Sequence, residues 1–228
     1  MFRQLRLQTI AKPLINVRYF SSTLVRPNSQ LKQILKNELS SSQSIPNKLS
    51  EIHETFIQDS SFKINSTPGK SLVEMVKSVN DQNISVVFDI DEITDLPIDS
   101  EIFEDQELDD LEIDNYLSTV KILVSKPDNS GIFLNLLFQG DSFMIDYINS
   151  TNNAVELKQN LLSGEFVDKV NYQGPRFSEL DESLQLGFES WLNELGINDE
   201  LANFIIGFSE IKEEDEYRKW LSDLSGFF

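Results

Sequence analysis

The chain has 228 residues and a net charge of −19, with 38 acidic against 19 basic side chains, no cysteine and one histidine. The absence of cysteine excludes disulfide-stapled domains, Cys-ligated zinc or iron–sulfur sites and a cysteine nucleophile, and one histidine excludes a multi-His metal site. With 39% hydrophobic residues and 16 Phe, the chain can bury one sizeable core. We therefore expect a globular protein whose negative field repels nucleic acid and attracts basic partners.

The N-terminal segment differs in charge from the remainder. Residues 1–37 contain seven basic side chains and no acidic one, whereas residues 38–228 contain 12 basic and 38 acidic side chains. A basic, acid-free start with interspersed apolar residues is typical of a mitochondrial presequence. Arg18 lies three residues before Ser21, the spacing expected at a matrix-processing site. We predict a presequence over residues 1–20, cleaved near Ser21, and a matrix protein of residues 21–228; the alternative is a disordered basic tail that stays attached.

The next segments predict one helix followed by a β-meander. Leu31, Ile34, Leu35 and Leu39 have helical spacing, which predicts a helix over residues 29–40. From Phe62 the period changes to two, and turn sequences separate the apolar runs, which predicts antiparallel hairpins. The clearest predicted strands are residues 84–90, 116–125, 132–139 and 142–148. Residues 149–169 are interpreted as a polar connection to a last strand at residues 170–172.

The C-terminal third predicts two helices. One apolar stripe runs through Phe177, Leu180, Leu184, Phe188, Trp191 and Leu195. Ser178 with Asp181 resembles a capping box, Gly196 suits a C-terminal stop, and the last helix is predicted to begin near Asn198. Helical spacing also predicts core or helix-packing positions for the aromatic residues Phe188, Trp191, Phe204, Phe208, Tyr217 and Trp220. Helices at both ends of a continuous meander indicate the α+β class and one domain.

An acidic tract is the most distinctive feature of the sequence. Residues 78–120 contain 14 acidic side chains and no Lys or Arg. Apolar residues are interspersed in the tract, so it could bind basic polypeptide by charge and weak apolar contact, or it could be a solvated loop that maintains solubility. It lacks the spaced ligands and central glycine of an EF-hand, although loose accumulation of divalent cations is compatible with its charge. The candidate partner-binding residues are Asp95, Asp99, Glu101, Glu104, Asp105, Glu107, Asp109, Asp110, Glu112 and Asp114, in a loop of about residues 92–114.

The sequence offers no catalytic motif. It contains no Gly-x-Ser-x-Gly, no phosphate-binding Gly-rich loop and no His-Glu-x-x-His. A carboxylate-based hydrolase would need a close buried pair of acids in a cleft, and chance pairs are common among 38 acids. His53 is predicted to be a surface or helix-end residue, since no thiolate or second imidazole is present to share a metal. No stretch of about 18 apolar residues occurs, so no membrane span is predicted.

Near its end the sequence resembles a known family. The stretch Tyr172-Gln-Gly-Pro-Arg-Phe-Ser-Glu-Leu-Asp-Glu-Ser-Leu-Gln185, followed by residues 191–197 and 212–221, resembles the mitochondrial acidic matrix proteins, also called the mitochondrial glycoprotein family. Its animal members are known as complement component 1 Q subcomponent-binding protein, and this chain looks most like a fungal member. The matching motif positions, interpreted as structural, are Tyr172, Gly174, Pro175, Phe177, Leu180, Asp181, Leu184, Gln185, Tyr217, Trp220 and Leu221. Residues 149–169 follow no family pattern.

The resemblance implies a specific architecture. Family members are ring-shaped homotrimers, and each subunit has a strongly twisted antiparallel sheet of about seven strands flanked by N- and C-terminal helices. One face of the ring is unusually acidic. The family has no established enzymatic activity or cofactor, so we expect neither in this chain.

The resemblance also implies a function. Family members are linked to mitochondrial ribosome assembly, translation and oxidative phosphorylation, and to chaperone-like binding. The leading hypothesis is therefore a non-enzymatic matrix adaptor or chaperone for basic mitochondrial proteins such as ribosomal proteins, binding no nucleic acid directly. The alternative is a low-affinity divalent-cation (calcium) buffer of the matrix.

Overall fold

A computed structural model describes residues 27–94, 118–139, 142–164 and 172–228. The predicted presequence and the ten tract residues Asp95 to Asp114 lie outside these residues. The described part of the chain forms six helices and six strands. In chain order they are α1 (Pro27–Gln43), α2 (Glu51–Ser60), β1 (Lys63–Asn65), β2 (Leu72–Val79), β3 (Gln82–Asp89), α3 (Ile90–Thr94), β4 (Thr119–Ser125), β5 (Gly131–Gln139), β6 (Ser142–Thr151), α4 (Ala154–Ser163), α5 (Glu182–Leu195) and α6 (Asp199–Phe227).

The strands form one antiparallel sheet in the order β1-β2-β3-β4-β5-β6, so each strand pairs with its neighbour in sequence. The β2–β3 hairpin is closed by Asn80 and Asp81, whose φ angles of 48° and 62° are left-handed. Both residue types tolerate this conformation, and a two-residue turn of this kind matches the twist of the strands. The register shifts between Asn135 and Leu136 of β5, so Asp146 of β6 has no residue opposite it in β5. Such a bulge locally increases the twist of the sheet.

The main core lies between one face of the sheet and the C-terminal helices. Alternate residues of β2 to β5 point to this face, among them Met75, Phe88 and Phe138, each at most 1% exposed. Helix α6 covers them with Phe204 and Ile205, both fully buried. Helix α2 adds a partly buried Phe56, whose ring stacks on Phe204 at 4.8 Å. The sheet therefore depends on α6 to remove its larger apolar face from water.

Helix α4 covers part of the other face. Leu161 packs in a smaller cluster with Val87, Leu123 and Phe133 of the sheet. Beside this cluster, the side chain of Glu74 is 8% exposed and pairs with Lys158 of α4 at 2.6 Å. Ser85 and Asn65 also donate hydrogen bonds to this carboxylate. Burial raises the pKa of Glu74, but the hydrogen bonds from Lys158, Ser85 and Asn65 outweigh that effect and hold its pKa below the ordinary value.

Helix α1 packs antiparallel against the second half of α6. Arg218 of α6 donates to the Ser42 hydroxyl at 2.9 Å and to the carbonyls of Ser42 and Ile45 at 2.8 and 2.9 Å. It also pairs with Glu214 on its own helix at 2.8 Å. Because the guanidinium presents a rigid fork of donors, it can satisfy the free carbonyls at the end of α1 and fix how the two helices meet.

The structure confirms the α+β class and most predicted elements. The helix predicted over residues 29–40 is α1, and the four clearest strands correspond to β3, β4, β5 and β6. The described residues contain six strands. Of the predicted last strand, residues 170 and 171 lie outside the described residues, and Tyr172 is not in a strand. The trimer and the count of seven strands stay predictions.

Two ten-residue helices, α2 and α4, and the short helix α3 were missed from the sequence. The interpretation of residues 149–169 as a polar connection is wrong, because β6 continues to Thr151 and α4 follows. The signals were present: the Asn153 side chain accepts from the Glu156 N–H at the start of α4, and Gly164 ends it with φ 72°. Helix α2 was also not predicted, although Ser50 caps it. Both helices have ten residues and polar faces, so their apolar periodicity is weak.

The start of α5 also differs from the prediction. Phe177–Glu179 forms a 3₁₀ turn, and α5 begins at Glu182 with Asp181 as its N-cap. Asp181 accepts from the Ser183 N–H at 3.0 Å, so it holds the cap position that the sequence assigned to Ser178. The predicted stop at Gly196 is confirmed by its φ of 80°, and the predicted start of the last helix near Asn198 is confirmed, since α6 begins at Asp199 with Asn198 as its N-cap.

The contact between α2 and α6 requires glycine at position 207. A Cβ atom on Gly207 would overlap the His53 ring, and the same ring lies edge-on to Phe204 at 5.9 Å. We expect Gly207→Ala to lower the free energy of unfolding by about 1–3 kcal/mol through overpacking. We expect His53→Ala to reverse most of that loss in the double variant, measured by urea denaturation.

Gly187 provides the matched control for this substitution. It lies in α5, and a Cβ atom at this position would meet no other atom within 4 Å, so Gly187→Ala should raise stability by about 0.5–1 kcal/mol. Equal effects of alanine at positions 187 and 207 would contradict the packing described for His53.

The Glu74–Lys158 pair predicts a pH dependence of stability. Because the pKa of Glu74 is lower in the folded chain, its contribution is complete well above pH 4.5 and is lost as the pH falls through the folded value. Glu74→Gln should therefore flatten the acid side of the stability curve. At pH 7, Lys158→Met should destabilise the fold by about 1–3 kcal/mol, because it leaves a buried carboxylate without its cation. Lys126→Met, at an exposed turn, is the control, and an equal loss there would refute the role of the pair.

Candidate functional site around the acidic tract

The structure describes both ends of the segment that contains the acidic tract. Strand β3 passes directly into α3, and β4 begins two residues after the undescribed segment ends. Glu92 of α3 accepts hydrogen bonds from the Thr119 N–H at 3.4 Å and from its hydroxyl at 3.1 Å. Phe88 and Val120 are paired across the two strands. Residues 95–117 are thus an insertion between neighbouring strands, and its two ends are joined at one end of the sheet.

Helix α3, which directly precedes the tract in the sequence, packs against α6. Ile90 and Ile93 are 1% and 4% exposed and belong to the main core. Helix α3 contacts α6, and the Ile90 N–H donates to the Ser71 carbonyl at 3.2 Å. The buried isoleucines hold α3, the last described segment before the tract, against the C-terminal helix.

The nearby surface of α6 is acidic as well. The helix contains eight acidic and three basic residues. Each of the three basic side chains pairs with an acid of the same helix: Lys212 with Glu216, Arg218 with Glu214 and Lys219 with Asp223. Five acidic side chains of α6 remain outside these ion pairs. Glu210, Glu213 and Asp215 lie close in sequence to the three pairs and add to the negative field of that part of the helix, whereas Asp199 and Glu200 lie at its start.

Neighbouring acids influence the pKa of Tyr217 in α6, whereas hydrogen-bond donors determine the direction of the pKa shift of Glu216. Burial and the neighbouring acids Glu38, Glu214 and Glu213 raise the pKa of the Tyr217 hydroxyl above its ordinary value. Burial raises the pKa of Glu216, but hydrogen bonds from Lys212 and from the Gly69 N–H hold it below the ordinary value. Glu216 therefore stays ionised as the acceptor that joins α6 to the turn at Gly69.

An open cleft of about 510 Å³ lies between α3, the turn before β2 and α6. Trp220 lines it, is 54% exposed and stacks on Tyr217 at 6.0 Å between ring centroids. Acids of α3 and α6 border the cleft together with Lys70 and Lys219. An exposed aromatic face beside carboxylates can bind a guanidinium or ammonium group by charge and cation–π attraction.

The prediction that Trp220 is a core or helix-packing residue is therefore wrong in part, because its ring stacks on Tyr217 but is more than half exposed. Phe204, in contrast, is fully buried as predicted. Helical spacing placed both residues on apolar stripes, but it carries no information on whether another element covers a stripe near the end of a long helix. The contribution of α3 to the site was also missed, since its five residues are too few to show a period.

Among the described residues, no group of three or more His, Cys, Asp or Glu is placed to hold a metal ion. The four ion pairs among these residues each contain one acid and one base. What this region can do chemically is attract cationic groups at its surface. No described helix is long and apolar enough to cross a membrane.

The family motif residues form the entry to α5 and part of its contact with the fold. Gly174 adopts φ 87° and approaches the Ile148 carbonyl, and Phe177 is buried with its ring 6.4 Å from that of Phe188. Gln185 donates to the Leu180 carbonyl at 2.8 Å. Pro175 is exposed, and Leu221 is buried in α6 at 2% exposure.

Other motif positions are exposed. Tyr172 is 81% exposed and Leu184 is 50% exposed, beside Leu186 at 59%. Helix α5 buries Leu192 and Leu195 near its C-terminal end, whereas the leucines of its first half lack a covering element among the described residues. The motif thus combines residues that shape a turn with residues that present an apolar surface.

Comparisons with known proteins agree with this architecture. The mitochondrial acidic protein mam33 of Schizosaccharomyces pombe is 27% identical to this chain. The alignment covers 93% of this chain and 82% of mam33. The crystal structure of the Trypanosoma brucei p22 protein superposes with a TM-score of 0.64 at 21% identity, covering 88% of this chain and 97% of p22. A Leishmania major protein of unknown function, described as a sequence homologue of human p32, superposes with a TM-score of 0.63 at 16% identity. The superposition covers 87% of this chain and 98% of the Leishmania protein.

Because the sequence identities are only 21% and 16%, the two superpositions show a shared fold and nothing more. The family assignment rests on the sequence: residues 33–228, from α1 to the C-terminus, match the family described as mitochondrial glycoprotein. The match includes the tract, the sheet and both C-terminal helices. The chain belongs to the mitochondrial glycoprotein family.

Proposed function

We propose that this chain is a non-enzymatic adaptor or chaperone of the mitochondrial matrix. It binds basic mitochondrial proteins, such as ribosomal proteins, and thereby supports ribosome assembly, translation and oxidative phosphorylation. The observation that carries the proposal is the segregation of charge. Ten acids lie between Asp95 and Asp114, and the ends of this segment are held beside a helix whose three basic side chains are all paired with acids.

The matrix location rests on two supports. The first is the basic, acid-free N-terminal segment, and the second is the likeness to a relative named as a mitochondrial acidic protein. Without residues 1–20, 15 basic side chains remain against 38 acidic ones, a net charge of −23. The proposed cleavage near Ser21 therefore makes the mature protein more negative than its precursor.

The acidic surface acts at short range. At physiological ionic strength exposed charges are screened beyond about 8 Å, so a client must bring several Lys or Arg side chains close to the tract. The apolar residues interspersed in the tract and the exposed ring of Trp220 add weak contacts that do not depend on salt. A surface of this kind binds many basic segments without reading a particular sequence.

We also propose that the protein is a homotrimer, as the family resemblance implies. The first half of α5 supports an association of this kind. Leu184 and Leu186 are exposed on different sides of a helix that is buried only near its other end, and contact with neighbouring chains would remove these leucines from water. Three chains of −23 repel one another, so their contact requires apolar burial to offset the charge.

The binding proposal is tested by neutralising the tract. In one variant, Glu101, Glu104, Asp105, Glu107, Asp109 and Asp110 are replaced by their amides, and the affinity for a lysine-rich peptide is measured by calorimetry with EDTA present. Six charge contacts valued at a few tenths of a kcal/mol each give about 2 kcal/mol, which corresponds to more than a tenfold loss of affinity. The wild-type affinity should also fall steeply as salt is raised.

A variant with the same change in net charge is the control for the tract. Its six amides replace the exposed acids Glu54, Glu179, Glu182, Glu189, Glu194 and Glu210. This control should bind within a few-fold of wild type. If both variants lost affinity equally, binding would depend on overall charge and the tract would not be the site. Uptake of several calcium ions per wild-type chain when EDTA is omitted would favour the cation buffer.

The trimer proposal is tested on α5. Leu184→Asp combined with Leu186→Asp should convert a trimer to monomers, because each leucine contributes about 1.5–3 kcal/mol when it is fully buried in an interface. Molar mass is measured by sedimentation equilibrium, and circular dichroism verifies that the monomer remains folded. Val155→Asp, at a residue 59% exposed on α4, is the control and should leave the mass unchanged. A monomeric wild type, or a double variant that remains trimeric, would refute the proposal.

A further inference from the structure

A groove lies at the other end of α6 from the cleft beside α3. It has a volume of about 880 Å³ and runs between α2 and the start of α6. Its apolar lining comes from α2, where Phe56 packs on the core and Ile52 is 78% exposed. His53, which packs on Gly207, lies between them. An exposed isoleucine beside an open apolar groove is the local arrangement of a docking site for apolar side chains.

The rim of the groove is acidic. Glu51 and Asp59 lie at the two ends of α2, and Glu200 lies in the first turn of α6. None of these three carboxylates forms an ion pair or side-chain hydrogen bond with a described residue. Lys77 is the one Lys or Arg among the lining residues, and its ammonium group donates to the Leu195 carbonyl at 3.2 Å and lies 5.1 Å from the Phe62 ring centroid. The charges left at the rim are therefore negative.

We infer that this groove binds a basic amphipathic segment of another polypeptide. Apolar side chains one helical turn apart would enter the groove beside Ile52 and Phe56, and Lys or Arg side chains on the flanks would meet Glu51, Asp59 and Glu200. This complementarity selects against acidic helices, whose charges would be repelled at the rim. The inference extends the proposed function: the tract attracts any basic segment, whereas the groove distinguishes basic segments that also carry an apolar face.

The N-terminal segment of the same chain is not the favoured occupant. Contacts of Ser42 with Arg218 and of Glu38 with Tyr217 show that α1 runs antiparallel to α6, so Pro27 lies near the C-terminal end of α6. The groove lies at the opposite end of this 29-residue helix, about 43 Å away at 1.5 Å per residue. A segment of another polypeptide can bind the groove without having to span the length of α6.

The N-terminal sequence nevertheless provides a suitable probe. A synthetic peptide of residues 1–20 contains four basic residues, Arg3, Arg6, Lys12 and Arg18, among apolar ones such as Leu5, Ile10 and Leu14. The second probe is an oligo-lysine peptide with no apolar residue. Both are fluorescently labelled, and their affinities for the full folded protein are measured by anisotropy.

Ile52→Ser should weaken binding of the residue 1–20 peptide about tenfold, because one apolar anchor is lost, and should leave oligo-lysine binding unchanged. Glu51→Gln, Asp59→Asn and Glu200→Gln together should weaken binding of the same peptide by a similar factor. Ile45→Ser is the apolar control, at a residue 64% exposed next to α1. Glu179→Gln, Glu189→Gln and Glu210→Gln together are the charge control. All six control and test acids are exposed, so folding should be retained.

The outcomes separate the two proposals. If Ile52→Ser bound the residue 1–20 peptide as tightly as wild type, the groove proposal would be wrong. The tract proposal would still hold if the six-amide tract variant lost affinity for oligo-lysine. Conversely, suppose that Ile52→Ser lowered the affinity for the residue 1–20 peptide while the six-amide tract variant bound oligo-lysine as tightly as wild type. This pair of results would support the groove proposal and refute the tract proposal. If Ile52→Ser reduced the molar mass of the protein without affecting either peptide, the groove would be an interface between copies of this chain and the inference would be wrong.

Discussion

Burial of apolar side chains on both faces of one antiparallel sheet holds this fold together against its own charge. The larger face lies under α6, where Phe204 and Ile205 meet the inward residues of four strands, and the smaller face lies under α4. A chain with a net charge of −19 gains nothing from its surface electrostatics on folding, because its excess acids repel one another. The cohesive free energy must therefore come from the core, and the surface is left free to be acidic.

The few basic side chains are placed where a charge has a structural task. Lys158 neutralises the buried Glu74 beneath α4, and Arg218 joins α1 to α6. Lys212, 7% exposed, pairs with Glu216 and donates to the Thr67 carbonyl at 3.2 Å. Because these cations are used internally, the remaining acids dominate the field that a partner meets. The acids fall into two regions of different chemistry: a charged tract that follows α3 in the sequence, and the rim of an apolar groove at the start of α6.

The sequence predicted elements whose periodicity is long or whose ends are marked. The strands around Ile84 and Leu134 alternate clearly, and Gly196 and Asn198 marked the boundary between α5 and α6. Helices α2 and α4 were missed because each buries little and has ten residues, although their caps Ser50 and Asn153 were visible. Exposure was harder to predict than secondary structure. Leu184 and Trp220 lie on apolar stripes, yet only the fold determines which stretch of a stripe is covered.

The charged part of the candidate site could be identified from composition, since ten acids between Asp95 and Asp114 need no structure to be noticed. What composition could not provide is their surroundings. The Glu92–Thr119 contact that joins the ends of the insertion, and the acidic helix beside it, depend on pairing between residues far apart in sequence. The groove at Ile52 was likewise hidden, because its lining combines α2 with residues around 200.

We propose that the protein holds basic partners by charge, and this proposal can be examined in the native complexes. It is tested most directly by crosslinking and mass spectrometry of its native complexes, isolated from mitochondria at low and at high salt. We expect basic proteins, ribosomal proteins among them, to be crosslinked at low salt to residues 95–114 and their neighbours, and to be lost at high salt. Partners that are no more basic than the mitochondrial average, or basic partners retained equally at both salt concentrations, would contradict it.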